Sequence, residues 1–310
     1  MGLKYQQWIP RSSGVISNHR HVLDVVCSAR KHRYIEKLSY GDHGLFSAIS
    51  AIKNAIKEQK RIALYADYDV DGTMSCVSWI WFLRSIGYTN FMHYIPDRFS
   101  EGYGLNLDAV KYLVEVEKAQ IIITMDTGIT ANKEAEWCKE RGVTFICTDH
   151  HKIQPQMLPD AIILNPKCHP DPEYQELCGC GITFVLLRQL GKFFKVPSHL
   201  WGDLLALAGM ATICDVVPLN SVNHRLARLG VNSLTKSKHP VLRALMDHCL
   251  GEKKNVDEQD LGFKLGPRIN AVGRFDHADK VIQAFIGENN FELLDYMHTC
   301  NEKRKSIQKI

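Results

Sequence analysis

Three aspartates follow a short apolar run early in the chain. Residues 62–66 have the composition of a buried strand, and Asp67, Asp69 and Asp71 come directly after it at every second position. Like charges at this spacing repel one another unless a cation lies among them, so a metal site is the first hypothesis. The alternative is that Asp71 only opens a helix over residues 74–86, because aspartate is common at helix starts.

Two further apolar strands end in residues that bind metals. Asp126 follows residues 121–125, and Asp149-His150-His151 follows residues 144–148. The carboxyl ends of parallel strands meet at one edge of a sheet, so these residues are expected to converge with the first aspartates. Asp215 ends an apolar helix, where an unpaired carboxylate is costly to bury without a cation or hydrogen-bond donors.

Strands and helices alternate from residue 46 onwards. We predict strands at 62–66, 91–95, 121–125, 144–148 and 161–164, and helices at 46–59, 74–86, 106–116, 132–141, 182–190 and 204–214. Such alternation indicates an α/β fold with a doubly wound, mainly parallel sheet, here followed by a helical C-terminal subregion. Residues 1–45 have no clear periodicity, and we expect an N-terminal arm packed on the core.

The composition is that of a globular chain without a membrane span. The 310 residues are 45% hydrophobic, and the net charge of +4 permits a polyanionic partner without establishing one. No stretch reaches ~18 apolar residues and no apolar signal region is present, so we expect a cytoplasmic protein without membrane contact.

Ten cysteines lie scattered in apolar runs, as free thiols do in a reducing compartment. Cys168-His169 and Cys178-Gly179-Cys180 lack the paired knuckles of a zinc site, and we expect a tight turn there.

Carboxylates and imidazoles without thiolates suit Mn²⁺ or Mg²⁺. Four or five carboxylates carry too much charge for one divalent ion, so we expect two ions that share an aspartate. Two ions about 3.5–4 Å apart lower the pKa of an attacking water and stabilise a pentavalent phosphate. The predicted reaction is therefore hydrolysis of a phosphoester.

The same residues resemble the motifs of the DHH phosphoesterase superfamily. The matching motifs are Asp67-Tyr68-Asp69-Val70-Asp71-Gly72, Asp126, Asp149-His150-His151 and Asp215-Val216-Val217-Pro218-Leu219. Segments 95–105 and 262–274 are similar to the RecJ branch, whose members are single-strand-specific 5′→3′ DNA exonucleases. The resemblance implies a DHH phosphoesterase domain over residues 46–290.

The resemblance also implies a role for each matching residue. The implied metal ligands are Asp67, Asp69, Asp126, His150 and Asp215, with the bridging position at Asp69 or Asp126. The implied catalytic residues are Asp126, His150 and His151, of which His151 contacts the scissile phosphate or orients a ligand. Asp71 and Asp149 are expected to hold the turn and the histidines. Some relatives carry His where Tyr65 stands, which leaves the outer coordination of the first ion open.

Substrate contacts are expected from the two RecJ-like segments. The candidate residues are Arg98, Tyr103, Arg268, Asn270 and Arg274. Guanidinium groups make bidentate phosphate contacts, and Tyr103 is of a type that stacks on bases. The expected partner is single-stranded nucleic acid, with DNA favoured over RNA.

The match departs from RecJ at the C-terminal end. RecJ-type chains continue through a connector helix into a DHHA1-type second domain, whereas residues 291–310 resemble only the opening of that connector. The second domain is expected to be absent, so the chain is either a fragment or is completed by a separate chain.

We predict a 5′→3′ exonuclease that releases mononucleotides and acts in DNA repair and recombination. Three alternatives stay open: hydrolysis of short oligoribonucleotides or cyclic dinucleotides, hydrolysis of pyrophosphate, and a catalytically silent replication scaffold.

Overall fold

The computed structural model describes residues 44–102, 104–154, 159–251, 253, 255–287 and 290–308. The strands in these ranges are β1 (Ile62–Ala66), β2 (Phe91–Tyr94), β3 (Ile121–Met125), β4 (Thr144–Thr148) and β5 (Ile162–Leu164). The helices are α1 (Leu45–Lys57), α2 (Val70–Ser85), α3 (Leu107–Lys111), α4 (Asn132–Glu140), α5 (Gly179–Leu190), α6 (Leu200–Cys214), α7 (Ser221–Lys236), α8 (Pro240–Leu250), α9 (Glu258–Asp260), α10 (Gly266–Val272), α11 (Asp279–Ile286) and α12 (Asn290–Ile307). π-Helical turns follow α3 at Tyr112–Val116 and α9 at Leu261–Leu265. Of the expected N-terminal arm, all but Gly44 and Leu45 lies outside the described residues.

The strands of the described part form one parallel sheet in the order β2-β1-β3-β4-β5. In β1, Ile62 lies opposite Phe91 of β2 on one side and Ile121 of β3 on the other. The strand order therefore reverses between β1 and β3, and such a switch point leaves a crevice at the carboxyl ends of the two strands. The predicted doubly wound, parallel sheet is confirmed.

Helices cover both faces of this sheet. On one face, Ala63 of β1 and Ile122 of β3 belong to a core cluster with residues of α3 and α4. On the other face, α2 contacts β1 and β3, and α5 contacts β3 and β4. Every residue of β1 and β3 is buried, which explains why these strands are unbroken apolar runs in the sequence.

Helix α2 begins at Val70 rather than at the predicted residue 74. Asp69 is its N-cap, and the Asp69 Oδ1 accepts hydrogen bonds from the backbone N–H groups of Asp71 (2.9 Å) and Gly72 (3.1 Å). Gly72 is required because a Cβ there would lie 2.3 Å from the carbonyl oxygen of Asp67. The start of the helix therefore packs directly on the end of β1 and fixes the backbone around the first two aspartates.

The C-terminal part of the described chain is helical, as predicted. Helix α6 packs against α7, and α10 and α11 pack against α12. Helix α5 begins at Gly179, earlier than predicted, because the Cys178 Sγ accepts a hydrogen bond from Gly181 N and caps the helix. None of the helices that the structure describes is both long and apolar enough to cross a membrane.

Candidate active site

Side chains from three strand ends and one helix end meet at the switch point. Asp67 follows β1 and Asp126 follows β3, while Asp215 is the C-cap residue of α6. With Asp69 they line a cavity of about 310 Å³. His150, which comes after β4, contacts two of these carboxylates. The structure therefore brings together the five residues that the sequence predicted to converge.

The ladder of the sheet continues past the strand ends and holds these residues. Asp67 N donates to Met125 O (3.1 Å), Asp126 N donates to Thr148 O (2.9 Å), and Asp149 N donates to Leu164 O (3.1 Å). Three groups of possible ligand atoms result, in each of which the atoms lie within 4.8 Å of one another. The groups are Asp67/Asp69/Asp126, Asp126/His150/His151 and Asp71/His150/Asp215.

Three carboxylate oxygens in this cluster are buried without a hydrogen-bond donor in the described part of the chain. They are Asp67 Oδ1, Asp126 Oδ1 and Asp215 Oδ2. Burial first, and then the charges of neighbouring carboxylates, raise the pKa of Asp67 to about 7 and that of Asp215 to about 8. The same causes hold the pKa of Asp126 well above its ordinary value. Buried acceptors that lack donors and repel one another fit a site for cations.

His150 lies in the middle of the acidic cluster. Its Nε2 is 3.1 Å from Asp126 Oδ1, without the alignment of a hydrogen bond, 3.5 Å from Asp215 Oδ2 and 3.7 Å from Asp71 Oδ2. Burial lowers the pKa of His150. A neutral imidazole whose nitrogen points among carboxylates has the protonation state of a metal ligand.

Asp149 holds His151 rather than joining the cluster. Its Oδ1 accepts from His151 N (3.0 Å) and from His151 Nδ1 (2.7 Å), and its Oδ2 accepts from Ile129 N (2.9 Å). Burial alone would raise the pKa of Asp149, but these donors lower it below its ordinary value. The hydrogen bond to Asp149 in turn raises the pKa of His151, which lines the cavity with a half-exposed side chain. Asp149 thus orients one of the histidines, as expected.

Asp71 anchors another element instead of holding the turn. Its carboxylate accepts from Gly179 N (2.5 Å) and Cys180 N (2.8 Å), the first two residues of α5. A buried carboxylate at a helix N-terminus is stabilised by the N–H groups there. Gly179 leaves room for this contact, because a Cβ would lie 2.9 Å from Asp126 Cβ. The expectation that Asp71 mainly holds its own turn was wrong, since the sequence does not show which helix start it meets.

Two positions of the site have left-handed backbone. Asp126 has φ +59°, and Val216, directly after Asp215, has φ +59° with an exposed side chain. Aspartate tolerates this region, whereas for a β-branched valine it is an outlier. Strain of this kind is typical of functional sites, where the surrounding structure holds a side chain in one direction.

The predicted substrate residues divide into two groups. Arg98, Asn270 and Arg274 line the cavity. Asn270 also has a structural contact, because its Oδ1 accepts from Val70 N (2.9 Å) at the start of α2. Arg268 does not line this cavity: its Nη1 donates to Lys264 O (2.6 Å) and its Nε to His298 Nδ1 (3.3 Å). Tyr103 lies outside the described residues.

Two contributors were missed from the sequence. The ring of Tyr68 lines the cavity and lies under the Arg98 guanidinium at 5.2 Å from its centroid. Glu101 holds the loop that carries Arg98: its carboxylate accepts from Tyr94 OH (2.7 Å), Asp97 N (2.7 Å) and Asn106 Nδ2 (2.9 Å). The position of Tyr68 between Asp67 and Asp69 was a usable signal, whereas nothing in the sequence distinguishes Glu101 from a surface acid.

No cysteine belongs to any of the possible metal groups in the described residues. Cys178 caps α5, and the buried Cys180 Sγ lies 3.9 Å from Ser78 Oγ. Burial raises the thiol pKa of both residues. Cys178 is thus the N-cap and Cys180 lies in the first turn of α5, so helix α5 already begins at the position where the sequence predicted a tight turn.

Comparison with known proteins identifies the family. Residues 61–210 match the DHH family, N-terminal domain. These residues belong to the DHH family. The DHH domain thus includes β1 to β5 and every candidate ligand except Asp215, and the resemblance predicted from the motifs is confirmed.

Curated relatives of the chain carry one name, single-stranded-DNA-specific exonuclease RecJ. The protein from Bacillus subtilis is 36% identical over 269 residues, which are 86% of this chain and 33% of the relative. The protein from Escherichia coli is 31% identical over 284 residues, which are 86% of this chain and 48% of the relative. The chain therefore spans between a third and a half of the length of these relatives.

Solved RecJ structures share the fold of the DHH domain and the helices after it. Exonuclease RecJ bound to manganese aligns with a TM-score of 0.78 at 29% identity, covering 88% of this chain and 68% of that chain. RecJ in complex with Mn²⁺ from Thermus thermophilus aligns with a TM-score of 0.75 at 26% identity, covering 88% of this chain and 40% of that chain.

Proposed function

We propose that this chain is a metal-dependent phosphodiesterase that degrades single-stranded DNA from the 5′ end and releases mononucleotides. The observation that carries this proposal is the set of three buried carboxylate oxygens that lack donors among the described residues, beside two arginines that line the same cavity. Such an arrangement suits divalent cations on one side and a phosphate on the other. The names of the RecJ relatives support the choice of single-stranded DNA.

The donor set fits two ions of Mn²⁺ or Mg²⁺. The proposed ligands are Asp67, Asp69, Asp126, His150 and Asp215. Carboxylate oxygens are the preferred donors of these hard cations, and RecJ structures with manganese and with Mg²⁺ are known. Asp126 belongs to the ligand groups around both Asp67 and His150, which favours Asp126 over Asp69 as the residue that two ions would share.

The chain's own residues perform the remaining work of the reaction. Bound divalent ions supply Lewis-acid chemistry, which makes water a better nucleophile and stabilises charge on phosphate. Arg98 and Arg274 bind phosphate oxygens and orient the strand in the cavity. His151, whose Nδ1 donates to Asp149, presents a positively charged ring at the cavity rim when it is protonated, and this charge stabilises the phosphate as negative charge develops.

The second candidate is hydrolysis of short oligoribonucleotides or cyclic dinucleotides with the same residues. The cavity favours it in one respect, since about 310 Å³ holds only a small part of a polymer. We rank it second because the curated relatives carry the name of a DNA exonuclease. A silent scaffold is disfavoured, because all five proposed ligands are present and converge.

A substrate panel tests the proposal. The purified chain is incubated with single-stranded DNA labelled at either end, blunt duplex, a short RNA, a cyclic dinucleotide and pyrophosphate, each with Mn²⁺ or Mg²⁺. We expect mononucleotides to be released from the 5′ end of single strands only. Asp126→Asn serves as the inactive variant, and Asp108→Asn, whose side chain is 95% exposed, serves as the matched surface control. Release beginning at the 3′ end, or faster hydrolysis of pyrophosphate, would contradict the proposal.

Three further points stay predictions. They are a role in DNA repair and recombination, a cytoplasmic location, and a separate chain that supplies a second domain. The domain limits 1–45, 46–290 and 291–310 also stay predictions, although α12 covers Asn290–Ile307.

A further inference from the structure

Two arginines share a cavity with the acidic cluster without pairing with it. Arg98 and Arg274 line the same cavity as Asp67 and Asp69. A guanidinium beside several carboxylates ordinarily forms an ion pair with one of them. The arginine ion pairs that the described residues make lie elsewhere, at Arg61–Glu117, Arg141–Glu140 and Arg243–Asp247. Some feature of the cavity therefore keeps opposite charges apart.

The aromatic ring of Tyr68 offers Arg98 a different partner. The ring lines the cavity, and the guanidinium carbon of Arg98 lies 5.2 Å from its centroid. At this distance the negative face of an aromatic ring attracts a cation. Tyr68 stands in the chain between Asp67 and Asp69. Arg98 is thus held next to two carboxylates by an uncharged ring.

The position of this ring is fixed by the sheet and by α10. On one side of Tyr68, Asp67 N donates to the end of β3 (3.1 Å), and on the other side Val70 N donates to Asn270 Oδ1 (2.9 Å). Gly273, at the end of α10, lies against the ring, because a Cβ there would be 3.9 Å from Tyr68 Cδ2. The ring therefore keeps its place independently of Arg98.

An ion pair between Arg98 and a carboxylate of the cluster would weaken the site in two ways. A cation would have to break the pair before it could bind, and the guanidinium would no longer be available to phosphate. Asp67 is suited to such a pair, because its buried Oδ1 has no donor in the described part of the chain. A cavity that contains both charges thus needs a group that separates them.

We propose that Tyr68 is a positioning residue whose ring holds Arg98 away from the carboxylates, so that the acidic cluster stays open to cations and the guanidinium stays open to phosphate. The inference rests on the proposed function, because it takes the carboxylates to be cation ligands. It assigns Tyr68 no contact with the reacting atoms. Since the face of the ring holds the guanidinium, phenylalanine should replace tyrosine in this role.

Binding of Mn²⁺ in the absence of substrate tests the inference. The dissociation constant is read from the electron paramagnetic resonance signal of free Mn²⁺ at neutral pH. The proteins are the wild type, Tyr68→Ala, Tyr68→Phe, Arg98→Gln and the double variant Tyr68→Ala/Arg98→Gln. Trp137→Ala and Arg141→Gln are the matched controls, because Arg141 lies over the Trp137 ring at 3.9 Å and neither residue lines the cavity. Melting temperatures in chelator establish that each variant is folded, and Tyr68→Leu replaces Tyr68→Ala if the alanine variant is unfolded.

Tyr68→Ala should bind Mn²⁺ about tenfold more weakly than the wild type, because the ion must displace Arg98 from a charge-assisted hydrogen bond. Tyr68→Phe and the two controls should match the wild type. Removal of Arg98 takes away the competitor, so the double variant should regain the affinity of Arg98→Gln. A role of Tyr68 in the fold alone would not be rescued by a change at Arg98.

Three results would overturn the inference. They are undiminished binding of Mn²⁺ by Tyr68→Ala, weakened binding by Tyr68→Phe, and a double variant as weak as Tyr68→Ala. The last result would mean that loss of the ring damages the turn itself. A wild type that binds no Mn²⁺ would overturn the proposed metal site together with the inference, whereas a wrong substrate or polarity would appear only in the substrate panel.

Discussion

Asp67→Asn should stabilise the metal-free protein. Asp67 is almost fully buried, and its Oδ1 has no donor in the described part of the chain. Burial and then the charge of Asp69 raise its pKa from 3.8 to about 7. Asparagine has the same shape but carries no charge, so the variant removes the repulsion and leaves the end of β1 in place.

The size and sign of the effect follow from the shift in pKa. A rise from 3.8 to about 7 corresponds to about 4 kcal/mol of unfolding free energy. Between these two pH values the folded protein keeps a proton that the unfolded chain has lost, so the stability of the metal-free wild type falls as the pH rises. At pH 8 the whole cost is present, and Asp67→Asn should melt about 8 °C above the wild type. Below pH 4 the two proteins should melt together.

Thermal melts at pH 4 and pH 8, in chelator and in excess Mn²⁺, measure the difference in melting temperature between Asp67→Asn and the wild type. Mn²⁺ at 100 times its dissociation constant should stabilise the wild type by about 2.7 kcal/mol and the variant much less. The difference in melting temperature between the two proteins should therefore become smaller or change sign. Asp108→Asn, at an exposed acid, is the control and should match the wild type throughout. A lower melting temperature for Asp67→Asn at pH 8 in chelator would refute the idea that the acidic cluster is held against repulsion.

Other consequences of the site can be tested in parallel. Asp126→Asn and Asp126→Ala should both lose about 100-fold or more in hydrolysis at saturating Mn²⁺. Both variants remove the same buried charge, but the alanine variant should be about 1–2 kcal/mol less stable than the asparagine variant, because residue 126 has φ +59°; equal melting temperatures of the two variants would argue against backbone strain. Glu101→Gln should lower the free energy of unfolding by about 1–3 kcal/mol, because one of the three groups that donate to Glu101 loses its acceptor. The variant should also raise KM, and an unchanged KM would mean that the loop of Arg98 does not take part in substrate binding. With Arg98 and Arg274 as the phosphate contacts, log affinity for single-stranded DNA should fall with log salt at a slope of about −1.4, and a slope beyond about −4 would mean that other residues form the groove.

The sheet and its ligands could be predicted because both depend on local pattern. The buried strands β1 and β3 are continuous apolar runs, and a polar residue directly after such a run must lie at the sheet edge. That rule placed Asp67, Asp126 and His150 together from the sequence alone. Contacts between distant segments could not be predicted in the same way: Asp71 meets the start of α5, and Arg268 turns towards His298 on α12. Sequence spacing carries no information on which helix end faces which carboxylate.

The ladder of hydrogen bonds beyond the strand ends explains how an acidic cluster can exist before a cation binds. The N–H groups of Asp67, Asp126 and Asp149 each donate to the neighbouring strand, so the sheet itself fixes the backbone of these residues. The free energy of the sheet core thus offsets the repulsion among the side chains, which cannot be relieved by moving the backbone apart. Two kinds of relief remain, protonation and cation binding, and both leave the backbone where it is. Amide hydrogen exchange at the ends of β1, β3 and β4 should therefore be slow with and without Mn²⁺, and rapid exchange there in chelator would mean that the metal builds the site rather than fills it.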